Sequence, residues 1–232
     1  MPNVIPSGTL FQRRINNYVP AMQYAMDVNI NGACRVSFGA PPAGVVNNIL
    51  NAQAIPTGPI AFDATANVNA QNITVAYGRS IQVLMAGATN TGVVQIRGGD
   101  YLGQAVEENV TAAGGAAVES KKAFKYVDNI TCLSATAATT LSVGWGTWLG
   151  LPYKAYRVAY EIANGVLVGT TGGFIAGGLQ DPQGTSAPDP RGLFRPTTVL
   201  NGANIISAVF DFSNDVNSSN NGGLHGIKHF FA

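Results

Sequence analysis

The chain is short of charge. Only 11% of its 232 residues are Asp, Glu, Lys or Arg, against about 25% in an ordinary soluble domain. Those side chains keep a free monomer's surface solvated. A chain this poor in them must wet its exterior with amides and hydroxyls, or cover it with other protein. The 13 basic residues almost balance the 12 acidic ones, and Arg13-Arg14 and Lys121-Lys122 are isolated doublets. Binding along a phosphate backbone needs a concentrated cationic face, because released counterions drive it. Direct nucleic-acid binding is therefore disfavoured.

Groups that carry catalysis or metal binding are equally scarce. The two histidines, His225 and His229, have the spacing of one helical face, but no third ligand lies nearby. Gly222, Gly223 and Gly226 also oppose a helix there. The two cysteines, Cys34 and Cys132, form no CxxC or Cys/His pattern, so no metal framework is expected. Two reduced, buried thiols are the favoured reading, with a bridge between them as the alternative. Glu107 and Glu108 are adjacent, so on a strand they point to opposite faces and cannot act as a carboxylate pair. No GxSxG motif is present. The run Gly144-Trp145-Gly146-Thr147-Trp148-Leu149-Gly150 has GxGxxxG spacing, without the Lys-Ser/Thr or helix of a phosphate cradle. It reads as a strand end with two tryptophans on the core. No enzyme activity and no cofactor are expected.

Long apolar runs are also missing, so no helical bilayer span is expected. The start, Met1-Pro2-Asn3-Val4, lacks the charged and then apolar stretch of a signal peptide. The expectation is a chain made in the cytoplasm and left unprocessed. The Asn-x-Ser/Thr triplets at Asn72, Asn109, Asn129 and Asn217 then follow from an Asn- and Thr-rich composition.

What is present is β material. Hydrophobic residues make up 46% of the chain, enough for a packed core. Ile73, Val75 and Tyr77 alternate with Thr74, Ala76 and Gly78. Ile81, Val83 and Met85 repeat that period, as do Val94 and Ile96. The turn Gly98 to Gly103 predicts a hairpin returning through Gln104 to Thr111. Ala123 to Leu133 and Thr140 to Trp145 complete at least six strands. Farther on, Tyr156, Val158 and Tyr160 alternate, Asn164-Gly165 signals a tight hairpin turn into Val166-Leu167-Val168, and Ile206, Ala208, Phe210 and Phe212 share one strand face. The Pro/Gly/Ser stretch from Asp181 to Pro190 predicts an exposed loop. The expected fold is all-β: an antiparallel β-sandwich or jelly-roll-like core with extended N- and C-terminal segments. Residues 1–50, broken by Pro2, Pro6, Pro20, Pro41 and Pro42, read as an irregular N-terminal arm. Residues 51–150 read as the sandwich core and 151–212 as a further β segment packed on it. Residues 213–232 read as a polar link and an aromatic tail. Phe11, Arg13, Arg14 and Tyr18 in the arm, and Leu224, Ile227, Phe230 and Phe231 in the tail, are the candidate assembly contacts.

Three stretches carry a family resemblance. They are Ile73-Thr74-Val75-Ala76-Tyr77-Gly78-Arg79, the hairpin from Val93 to Glu108 with its Arg97-Gly98-Gly99-Asp100-Tyr101-Leu102-Gly103-Gln104 turn, and Lys121-Lys122-Ala123-Phe124-Lys125-Tyr126-Val127-Asp128-Asn129-Ile130-Thr131. Over residues 60 to 150 the chain resembles virion proteins of tailed bacteriophages, especially the head decoration or cement proteins. The resemblance implies a β-sandwich on the capsid exterior, a homotrimer or homodimer, and the major capsid protein as partner. Bridging of capsid subunits would brace the shell against DNA pressure, and no catalytic residue is implied. Two alternatives stand beside it. One is another virion component, such as a tail-tube, head–tail connector or fibre subunit. The other is a carbohydrate-binding adhesin using Tyr101, Tyr126, Trp145 and Trp148 as a sugar platform.

Overall fold

A computed structural model describes residues 33–63, 75–178 and 187–212. The candidate assembly contacts Phe11, Arg13, Arg14, Tyr18, Leu224, Ile227, Phe230 and Phe231, and the histidines His225 and His229, lie outside the described residues. Within them the protein is all-β and sandwich-like, as the alternation predicts: every strand pair is antiparallel and no helix is present.

Among the described residues, fourteen strands form three sheets. The first sheet runs β1 (Ala33–Gly39), β14 (Ile206–Phe212), β10 (Ala155–Ala163) and β11 (Val166–Leu167). The second runs β12 (Gly173–Ile175), β13 (Leu193–Arg195), β9 (Thr139–Gly150), β4 (Arg79–Met85) and β7 (Val118–Glu119), with β2 (Val45–Ile55) also on β9. The third runs β3 (Ile60–Asp63), β8 (Tyr126–Ala135), β5 (Gly92–Gly99) and β6 (Ala105–Ala112). A strand has only two hydrogen-bonding edges. Because β4 occupies one edge of β9, β2 and β13 share the other, pairing with residues 139–145 and 149–150 respectively.

The period-two pattern builds the core. Ile81, Val83 and Met85 of β4 stand opposite Trp145, Val143 and Leu141 of β9, and all six are buried. Val94 and Ile96 of β5 do the same against Cys132 and Ile130 of β8. Phe38, Phe194 and Phe210 join the first and second sheets: the Phe38 and Phe194 rings stack at 5.7 Å, and Phe210 meets Phe194 edge-on at 5.4 Å. Buried residues from all three sheets form one hydrophobic cluster, the single continuous β core that the sequence suggested.

The glycine run in β9 is part of this packing. A side chain at Gly144 would strike the Val45 carbonyl, and one at Gly146 would strike the Ser80 hydroxyl. These glycines let β2 and β4 close on β9. Asn164 and Gly165 have φ of 51° and 84°, as a two-residue hairpin turn requires, and they reverse β10 into β11.

Four expectations change. Residues 33–50 are not irregular: β1 and the start of β2 lie there, on either side of Pro41-Pro42, and both pair with later strands. The core therefore does not begin at residue 51, nor does a boundary fall at 150. Val75 and Ala76, expected in a strand, lie in a bend and turn, and the turn expected over Tyr77 to Ser80 comes earlier, since β4 already begins at Arg79; Gly78 has φ of 82° and the Tyr77 ring packs edge-on against Tyr101. Last, Asp189 and Pro190 at the end of the predicted exposed loop are buried. Cys132 is a free, buried thiol whose S–H donates to the Ser134 carbonyl at 3.3 Å, so it is not bridged.

Phe210 touches both neighbouring rings and is fully buried, so Phe210→Ala is expected to lower unfolding free energy by about 3–5 kcal/mol. Urea denaturation followed by tryptophan fluorescence measures this. A loss below about 1 kcal/mol would show that the aromatic junction does not hold the two sheets together.

Candidate functional site

The most highly organised polar constellation lies where the β5–β6 turn meets the segment leading into β13. The sequence supplies the local geometry. In the turn after β5, Asp100 caps its own backbone: Oδ1 accepts from the amides of Leu102 at 2.8 Å and Gln104 at 2.9 Å. That is the short-range bonding expected of Asp in a turn. Its Oδ2 accepts from Arg191 Nη1 at 3.0 Å. On the other side, Asp189 Oδ1 lies 3.3 Å from Arg191 Nε and accepts from the Arg191 amide at 3.0 Å. Its Oδ2 accepts from the Ala123 amide at 3.1 Å. The Arg191 guanidinium also covers the Tyr101 ring at 5.0 Å, and the Tyr101 hydroxyl donates to the Pro152 carbonyl at 2.7 Å.

All three charged side chains of this junction are at most 1% exposed. Burial alone would lower the Arg191 guanidinium, but Asp189 and then Asp100 outweigh it and raise it further. Burial, the largest influence on Tyr101, pushes its hydroxyl up to about 12. The cluster is thus held as one cation between two carboxylates beneath an un-ionised phenol. It ties the β5–β6 turn, the loop before β8, the start of β10 and the start of β13 to one point.

Other buried charges follow the same rule. Glu108 of β6 accepts from the Lys121 and Lys122 amides at 2.8–3.0 Å, and Lys122 Nζ donates to the Glu107 carbonyl at 3.1 Å. Glu161 of β10 accepts from the Thr197 and Thr198 amides. Glu119 of β7, only partly buried, accepts from the Ser80 and Thr147 hydroxyls. Arg79 spans from the Gly146 carbonyl to that of Pro42, leaving its Nη2 without a partner among the described residues. With no carboxylate bonded to it, burial lowers the Arg79 guanidinium to about 10. Each charge fastens a loop or strand end to a neighbour.

The adjacent glutamates point to opposite faces, as expected: Glu108 is buried, while Glu107 meets Arg97 in a partly exposed pair at 2.9 Å. The four aromatics of the proposed sugar platform do not form one. Trp145 is buried, Tyr101 lies beneath Arg191, and the Trp148 ring is covered by the Arg195 guanidinium at 4.8 Å. No group of three or more His, Cys, Asp or Glu side chains placed to hold a metal occurs among the described residues. Arg191 and Asp189 were not legible as a site, because their partner Asp100 is some 90 residues away in sequence. A charged pair flanked by prolines, Asp189-Pro190-Arg191, was the one available hint. In comparisons with known proteins, no family model, curated protein or solved structure matches the chain.

Two outcomes test the bolt-like character of these charges. Arg191→Met strands two buried carboxylates and is expected to cost about 3–5 kcal/mol. The triple change Arg191→Met, Asp100→Asn, Asp189→Asn should cost much less than the sum of its parts; an additive result in urea melts would mean that the charges are not coupled. Glu108 sets a pH dependence. Burial, its largest influence, moves the carboxyl from the ordinary 4.5 up to about 7 despite the Lys121 and Lys122 amides. The folded state then holds a proton that the unfolded state has released, so stability falls as pH rises from 4.5 to 7 and levels above it. Glu108→Gln should flatten that stretch of a stability–pH curve, and an unchanged slope would refute the assignment.

Proposed function

We propose that this chain is a structural virion component, of the kind that decorates and cements the head shell of a tailed bacteriophage. The observation that carries the reading is how the protein spends its few charges. Three of its 13 basic and four of its 12 acidic residues are buried as internal fasteners: Arg79, Lys122 and Arg191, with Asp100, Glu108, Glu161 and Asp189. A protein that lives alone in water would place these on its surface, where they cost nothing to hydrate. Spending them inside favours a rigid unit whose exterior is partly covered by other subunits.

Three further features support the same reading. The described buried charges bind backbone amides, carbonyls and each other across seams between strands and loops. An all-β body pinned at several points suits mechanical bracing. Weak contacts repeated many times over a symmetric shell gain strength through avidity, so no single contact needs to be large. On this reading the partners are the major capsid protein and further copies of the chain, and the place of action is the capsid exterior.

Co-sedimentation with isolated shells of the cognate phage tests it. The purified protein should pellet with expanded shells at a fixed stoichiometry and raise the temperature at which they disrupt. A protein that stays in the supernatant and leaves shell stability unchanged is not a cement protein. Binding to purified tails instead would assign it elsewhere in the virion.

A further inference from the structure

We infer that the β11 end of the first sheet is a self-association face, pairing with the same face of a second copy across a twofold axis. Val166 and Leu167 of β11 are 68% and 63% exposed, and nearby Val199, Ile205 and Tyr160 are 70%, 57% and 48% exposed. Hydrogen bonds hold these residues at one place. The Asn164 amide donates to the Ile205 carbonyl, and the Ile205 amide donates to Asn164 Oδ1. Asn164 Nδ2 donates to Asn204 Oδ1, while Asn204 Nδ2 donates to the Val199 carbonyl. The asparagines are thus spent on fixing the patch, and the apolar side chains are left outside.

The patch is uncharged as well as apolar. Across Val158 to Gly169 and Pro196 to Phe210, the only charged residue is Glu161. It is buried and accepts from the Thr197 and Thr198 amides. Open sheet edges in soluble proteins are normally guarded by charge, proline or a bulge. The opposite edge of this sheet, β1, carries exposed Arg35. The β6 edge of the third sheet carries Glu107, paired with Arg97. The β11 edge and the residues that follow it, Val168-Gly169-Thr170-Thr171-Gly172, have none of these guards.

An uncharged apolar surface is its own complement, with no like charges to repel when two copies meet. Closed twofold pairing is also the commonest symmetry of protein oligomers. Leu167 shares one face of the sheet with Tyr160, and Val166 lies on the other, as adjacent residues of a strand must. The five residues expose on the order of 500 Å², divided between the two faces, against the roughly 800 Å² each partner buries in a stable complex. Antiparallel pairing of two β11 edges would join two four-stranded sheets through backbone hydrogen bonds and cover apolar side chains on both sides of the joint. The inference rests on the shell reading only in expecting self-association.

Light scattering on the full chain tests it with Leu167→Glu and Leu167→Lys. The wild type should give twice the 24.0 kDa chain mass, and each variant alone should fall to the monomer mass. Mixing the two variants should restore the dimer, because only a face that meets its own copy brings Glu against Lys. Leu133→Glu, on exposed apolar surface of β8, should remain dimeric. An unchanged circular dichroism spectrum and a cooperative unfolding transition exclude misfolding as the cause. A monomeric or trimeric wild type, or dimers that survive both substitutions, would overturn the inference. Dimers that ignore shells would sink the shell reading alone, and monomers that bind shells would sink only the twofold face.

Discussion

Arg191, held between Asp100 and Asp189 with no access to water, is the interaction on which the arrangement of loops depends. A desolvated ion pair gains little net free energy over apolar residues of similar volume, yet it is intolerant of losing one partner. What it contributes is selectivity among arrangements. The apolar core alone would accept small slides of the β5–β6 turn over the neighbouring sheet, since hydrophobic contact is non-directional. The guanidinium does not. It reaches both carboxylates only when the turn, the loop before β8 and the entry to β13 stand in one relation. Tyr101, clamped between Arg191 and the Pro152 carbonyl, extends that constraint to the start of β10.

The remaining buried charges repeat this solution at other seams. Glu108 gathers the two amides at Lys121 and Lys122, and Glu161 gathers those at Thr197 and Thr198. In both cases a carboxylate satisfies backbone donors that an irregular segment cannot pair within itself. A buried donor left unmade costs about 1–3 kcal/mol, so these glutamates are what allow the connecting segments to lie against the body. The structure thus has rigid connections as well as rigid sheets.

Legibility in the sequence divides along the range of the interactions. Strands β4, β5, β6, β10, β11 and β14 were readable because alternation and turn chemistry act within a few residues. Asn164-Gly165 imposes its turn by its own φ preferences, whatever lies nearby. Residues 33–50 were misread because Pro41-Pro42 look like breakers, whereas they occupy the gap between two strands whose partners, β14 and β9, lie far along the chain. Asp189 and Pro190, at the end of the expected exposed loop, were misread for a related reason. Its composition signals a loop, and nothing local announces that Asp189 is required by Arg191 and Ala123. The pairing of Glu107 and Glu108 to opposite faces was legible, but which of them is buried was not.

Charge taken inward also changes what the outside can do. Each carboxylate or guanidinium used as a fastener is one fewer guard against association, so rigidity and stickiness rise together in a chain with so few charges. The protein does not distribute that loss evenly. Arg35 and Glu107 remain on sheet edges where a stray strand could add, whereas the β11 edge carries no charge and is bordered by Val199 and Ile205. Antiparallel pairing through the β11 edge would close after two copies and leave the other surfaces available for a different partner.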